Sequence, residues 1–218
     1  LERLTRQSSR LSRSPDYGSM LLGRVGESPV RRRARIQTIL TVFILAMNLI
    51  GIGLGVMLVV VVFPEPDAVR DVPIWVPAVL APAYAVAALT FGAWWIHVRT
   101  VKDLRWAIDG RTPTSKDQRA AFLTPKRIAD VHAVLWAVGG VLLTVAYGRY
   151  DTDFIPRLGL AVPFCGLLVA TSVYLFTEFA LRPVAAEALA AGHPPNRLVQ
   201  GVMGRTMSVW AISSGLPM

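Results

Sequence analysis

Charge is scarce in this sequence and cysteine is nearly absent. Only 17% of the residues are Asp, Glu, Lys or Arg, while 53% are hydrophobic, a balance too poor in charge for an ordinary water-soluble domain. The single cysteine, Cys165, sits inside an apolar run, which excludes an intrachain disulfide and gives no support to a disulfide-stapled secreted scaffold. The three histidines, His97, His132 and His193, are scattered, and without Cys or carboxylates on the same face they make no metal site. Asp151 and Asp153 form an Asp-x-Asp pair, but Ca²⁺ would need several further oxygens. Carboxylates lie almost entirely outside the apolar runs or at their edges, and no Ser/His/Asp or Cys/His set has a pocket to occupy, so no catalysis is expected of this chain alone.

What the sequence has in quantity is uninterrupted apolar length. Four arginines, Arg31, Arg32, Arg33 and Arg35, precede 28 residues from Ile36 to Phe63 that carry no formal charge. As a helix that run is roughly 42 Å long, more than the ~30 Å of bilayer hydrocarbon. Further runs follow at about 74–98, 131–147 and 158–177, and a fifth opens at Thr206 and is cut at Met218. The fold class is therefore an all-α polytopic transmembrane helical bundle, with four spans finished and a fifth begun. A piece of a longer chain is expected, divided into a basic arm over 1–35 and a transmembrane domain over 36–218.

The connectors set the orientation. The net charge is +9 and the pI near 10.6, yet the positives fall in connectors, which argues for topology and against a nucleic-acid surface. The arm holds nine arginines, the connector from Arg99 to Asp130 holds eight Lys or Arg, and the segment from Arg182 to Arg205 holds three; the other side has only Arg70, Arg149 and Arg157. By the positive-inside rule the amino terminus and these connectors are expected in the cytoplasm of a multi-pass cell-membrane protein. The arm's charge would also attract anionic lipid headgroups, and a short helix around 16–25 is conceivable within it.

Local signals refine the spans. Pro64-Glu65-Pro66 ends the first, Pro77 and Pro82 fall in the opening turns of the second, and Trp75, Trp94 and Trp95 mark its ends as interfacial anchors. The second helix is expected to run on to a stop at Gly110, and Thr124-Pro125 to open the third, with proline in the first turn. An internal echo links LRWAIDGRTPT from Leu104 with LRPVAAEALAAGHPP from Leu181, implying two helical hairpins of similar design, with a third to complete six spans.

The residues singled out for a role are few. Gly51 and Gly55 form a Gly-x-x-x-Gly spacing that admits close helix approach, within one subunit or between two. Asn48, in the first span, and Glu178, at the end of the fourth, are polar groups in or beside lipid, where an unpaired polar atom is costly. Glu178 stands four residues before Arg182, a spacing that permits an interfacial ion pair, the alternative being a ligand or proton role.

Three stretches, RLTRQSSRLSRSPDYGSMLLGRV, RRRARIQTILTVFILAMNLIG and GVMGRTMSVWAISSGLPM, resemble the membrane-anchored class III adenylyl cyclases of mycobacteria and related bacteria. That resemblance implies a six-helix membrane domain followed by a HAMP linker and a cyclase domain, the latter two absent from this chain. It implies conversion of ATP to cyclic AMP and pyrophosphate by a homodimer with Mg²⁺ or Mn²⁺ held in the cyclase domain, and it transfers no catalytic, cofactor or metal residue to this chain. Membrane lipids are the expected partners here. Another HAMP-containing receptor, such as a histidine kinase, and a small transporter stand as alternatives.

Overall fold

In the computed structural model, residues 28–62 and 72–191 are described; the arm's conceivable helix at 16–25, the Pro64-Glu65-Pro66 break, His193 and the fifth apolar run lie outside them. The elements are α1 (Pro29–Met57), continued by a π-helical turn Leu58–Val62; a π-helical turn Val76–Leu80 leading into α2 (Ala81–Asp103); α3 (Arg105–Ile108); α4 (Ser115–Gly148); α5 (Phe154–Ala180); and α6 (Arg182–Ala190). No strand occurs among the described residues. Four of the helices are long and apolar enough to cross a membrane, and the chain is a multi-pass membrane protein.

Each helix outruns the apolar stretch within it. Pro29 occupies the first turn of α1, where its fixed φ suits a helix start and its missing N–H is not needed. Arg31 to Arg35 are thus helical and continuous with the span, where a basic arm reaching residue 35 was expected. Ahead of α2, Ala81 donates its N–H five residues back, to the Val76 carbonyl, a wide π-type turn that leads up to Pro82, which has no N–H to donate.

The greatest departure from expectation is α4. It begins at Ser115, ten residues before Pro125, under a capping box in which Thr114 Oγ1 accepts from the Asp117 N–H and Asp117 Oδ2 accepts from the Thr114 N–H at 3.1 Å. Pro125 lies inside the helix. The 34 residues of α4 extend about 51 Å, so a stem projects past the bilayer at the arginine-rich end. Before it, Gly110 takes φ +67°, and the Arg111 N–H returns to the Trp106 carbonyl at 2.9 Å, closing α3 with the left-handed glycine such a helix end needs.

Packing follows the glycines. α4 and α5 form the most intimate pair, α1 lies along α5, and α2 along α4. Adjacent glycines on α4 serve both neighbours: Gly139 receives the ring of Tyr84 from α2, and Gly140 faces Val162 and Pro163 of α5. Tyr84 also donates its hydroxyl to the Leu135 carbonyl. At the end opposite the arginines, Val72 and Val76 pack on Phe154, Leu158 and Val162. Many other large apolar side chains of α1 and α2, among them Leu49, Ile50, Val56, Val86, Phe91 and Trp94, point outward, a surface suited to lipid.

Replacing Thr114 by Ala is expected to fray the first turn of the α4 stem at a cost of about 1 kcal/mol. Faster amide exchange over residues 115–118, with the distal half of α4 unchanged, is the check.

Candidate functional site

Deep in the bundle, two polar side chains from different helices bond each other. Ile36, Leu40, Ile44 and Asn48 recur every four residues on α1 and are buried, so the apolar stripe that packs on α5 carries one amide. Asn48 Nδ2 donates to the Ile44 carbonyl of its own helix at 2.8 Å. Its Oδ1 accepts from Trp136 Nε1 of α4 at 3.0 Å. An indole N–H far from the membrane surface needs an acceptor, and Asn48 supplies it.

The Trp136 side chain is seated by glycines on two other helices. A Cβ added at Gly166 of α5 would collide with Trp136 Cβ; one at Gly51 of α1 would collide with Val169 Cγ2 and come within 2.9 Å of Trp136 Cζ2. Gly55, one turn on, faces Cys165 Sγ at 3.8 Å. Both glycines of the Gly-x-x-x-Gly spacing thus face α5 of the same chain, whereas Gly53 has nothing within 4 Å of an added Cβ. His132, one turn before Trp136, is buried with Nδ1 2.8 Å from the Ile128 carbonyl.

A second assembly closes the arginine-rich end. Arg32 Nη1 donates to the Ala107 carbonyl of α3 at 3.0 Å and pairs with Glu187 of α6 at 3.2 Å. Gln118 in the α4 stem donates to the Ala188 carbonyl at 2.8 Å, and Arg127 pairs with Asp103 of α2 at 2.8 Å. Beneath these bonds Ile36, Leu104, Trp106, Ile128, Leu181 and Val184 are buried together. The connector from Arg99 to Asp130, expected as helical exit, turn and entry, is therefore a packed collar that joins α1, α2, α3, α4 and α6. Beside it, Gln37 Nε2 and His97 Nδ1 approach to 3.3 Å and link α1 to α2.

The remaining expected positions have local surroundings. Glu178 is partly buried at the end of α5. Leu181 leaves helical geometry at φ −92°, ψ 2°, and beyond it the Arg182 guanidinium lies 5.1 Å over the ring of Phe179, a cation–π contact at the helix break. Asp151 Oδ1 accepts from the Asp153 N–H at 2.9 Å, which uses one of the two carboxylates to shape the turn. Among the described residues no three His, Cys, Asp or Glu side chains gather as metal ligands.

Sequence reasoning found Asn48, Gly51 and Gly55 but not Trp136, Gly166, Arg32 or Gln118. A mid-span tryptophan was the usable signal, because its N–H must find one of the few polar groups at that depth. What the two assemblies can do is mechanical: the intramembrane node fixes α1 against α4 and α5, and the collar ties the same helices to α3 and α6.

Comparison with known proteins gives relatives along the whole length. An uncharacterized protein of Mycobacterium tuberculosis is 51% identical over 218 residues, covering 100% of this chain and 41% of the relative. A second from the same species is 53% identical over 217 residues, 40% of its length, and a third, from Mycobacterium bovis, is 47% identical over 217 residues, 38% of its length. The chain thus spans about two fifths of the curated relatives it matches. No family model matches, and no solved structure matches.

In a double-mutant cycle, Asn48→Ala and Trp136→Phe are expected to couple by about 0.6–2 kcal/mol, the range of hydrogen bonds between helices in lipid. Unfolding in bicelles measures it, with Gly166→Val expected to be far more destabilising than Gly53→Val.

Proposed function

We propose that this chain is the membrane module of a class III adenylate cyclase, an anchor and dimerisation unit that also serves as a sensor, oriented with its arginine-rich end in the cytoplasm. The resemblance of three stretches to mycobacterial membrane cyclases supports the activity, and the relatives leave room for a catalytic region, since this chain covers only 41% of the first of them. The observation that carries the reading is the collar. Basic residues outside the bilayer are gathered into a packed platform that grips α6, the last described element before the remainder of the chain. A platform of that kind is what a membrane domain needs to impose helix positions on an enzyme beneath it.

In the parent protein, Mg²⁺ or Mn²⁺ held by paired aspartates of the cyclase domain would neutralise the phosphate charge of ATP and activate the ribose 3′-hydroxyl. None of that chemistry belongs to this chain, whose part is to hold two cyclase domains together and bias their arrangement. A ligand can do so only by binding two helix arrangements unequally. The turn between α4 and α5, residues 149–153, is too short to form an external binding domain, which favours lipids and other apolar molecules as ligands.

The transporter alternative needs broken helices in matching positions at mid-membrane. Matching breaks do occur, at Leu104 and Leu181, but at the collar and away from the Asn48–Trp136 node.

Full-length protein in lipid vesicles is expected to make cyclic AMP from ATP in a metal-dependent reaction, with a rate that differs from that of the catalytic domain expressed alone and responds to lipid composition. Equal rates and equal lipid responses reject the regulatory role. Absence of cyclic AMP together with autophosphorylation on histidine replaces the cyclase with a kinase.

A further inference from the structure

Two joints at the arginine-rich end are built alike. α2 ends in Thr100-x-x-x-Leu104-Arg105 and α5 ends in Thr177-x-x-x-Leu181-Arg182. In both, the leucine N–H still bonds the threonine carbonyl, at 2.9 and 3.0 Å, while the leucine itself leaves the helix, at φ −106°, ψ 10° and φ −92°, ψ 2°. Both leucine side chains are buried, at 1% and 3% exposure, and each arginine opens a short helix, α3 or α6.

The likeness extends to how each short helix is fastened. A side chain from the first turn of the same hairpin's leading helix reaches under to a carbonyl at the short helix's end: Arg32 of α1 to Ala107, and Gln118 of α4 to Ala188. Each unit is thus a leading helix, a return helix, a joint and a short helix latched back to the leading stem. The sequence echo at Leu104 and Leu181 has a structural counterpart in the joint and the short helix; the glycine and proline turn of its second copy lie outside the described residues.

Both joints also hold a threonine hydroxyl with no hydrogen-bond partner among the described residues. Among the described residues, four buried side-chain polar atoms have no hydrogen-bond partner: Thr100 Oγ1, Thr177 Oγ1, Trp106 Nε1 and Thr144 Oγ1. Three of the four belong to the joints or to α3, and the two threonines hold equivalent places. A buried hydroxyl without a partner disfavours the state that contains it. The bent joint therefore persists because the latch and the burial of leucine outweigh that cost.

We propose that these are twin latched joints, and that release of the Gln118–Ala188 latch, beside which the partly exposed Arg32–Glu187 pair is a weaker second tie, frees α6 as a unit while the spans stay folded, so that a shift of the α4 stem against α5 is passed to the chain beyond Ala191. The device is independent of which catalytic domain follows, and its test reads no enzymatic activity.

The experiment is amide exchange by mass spectrometry on the full-length protein in lipid nanodiscs. Gln118→Ala is expected to speed exchange over residues 182–190 roughly tenfold while residues 105–111 stay within about twofold of the parent, the signature of local rather than global opening. Adding Thr177→Val, which removes the unsatisfied hydroxyl without changing shape, is expected to recover at least about a third of that acceleration on a logarithmic scale. Unchanged exchange at α6, equal acceleration of both short helices, or no recovery on adding Thr177→Val overturns the proposal.

Discussion

The hydrogen bond from the Trp136 indole to Asn48 is the constraint on which the rest of the bundle turns. Hydrocarbon offers no partner to an amide or an indole N–H, so each must find the other inside the protein. Meeting that requirement fixes the depth of α1 relative to α4, because the two residues, 88 positions apart in sequence, sit on different helices and bond at 3.0 Å. Once that depth is set, the small residues fall into place. Gly51 and Gly166 make the notch that the tryptophan fills, and stacking of Phe43 on Phe176, with centroids 3.5 Å apart, continues the α1–α5 contact toward the arginine-rich end. Dispersion between apolar side chains is no stronger between helices than between helix and lipid, so the polar pair and the close approach at glycine supply the specificity that greasiness alone cannot.

Outside the bilayer the balance of forces changes. Water competes for hydrogen bonds there, and burial of apolar surface again drives packing. The collar uses both: Leu104, Trp106, Ile128 and Leu181 make an ordinary buried core, rimmed by Arg32–Glu187 and Arg127–Asp103 pairs. Asp103 is only 10% exposed, so removal of Arg127 would leave a carboxylate largely stripped of water with only Arg99, at 3.9 Å, beside it, whereas the exposed Lys126–Asp130 pair contributes little. Helices longer than the membrane are thus the means by which spans fixed by lipid physics come to be joined below by water-driven packing.

Much of this architecture was legible in the sequence because its causes are local. Charge-free runs of 17 to 28 residues have one structural outcome in lipid, so the all-α class and the four spans follow directly. Asn48 stood out as an amide in a greasy run, and Gly51 by its spacing. Other features resisted because their causes are not local. The start of α4 lies ten residues before the expected one: Pro125 is an equally good opening residue by composition, and the Thr114–Asp117 box that actually caps the helix was not singled out. The collar was read as a connector because Lys116, Arg119, Lys126 and Arg127 dominate its composition, while the bonds that organise it, Arg32 to Ala107 and Gln118 to Ala188, join residues 75 and 70 positions apart. Trp136 went unnoticed because which helix faces Asn48 depends on tertiary register.

The proposed coupling to an enzyme requires the collar and the turn at residues 149–153 to lie on opposite sides of the membrane, with the collar inside. Both sites offer exposed positions, Lys116 in the stem and Thr152 in the turn, and the native Cys165 is buried. The direct measurement is labelling of Lys116→Cys and Thr152→Cys proteins with a membrane-impermeant maleimide in intact cells and after permeabilisation. The expected result is that position 152 reacts in intact cells and position 116 only after permeabilisation. Reaction of position 116 from outside would contradict the orientation and remove the route from these helices to an enzyme in the cytoplasm.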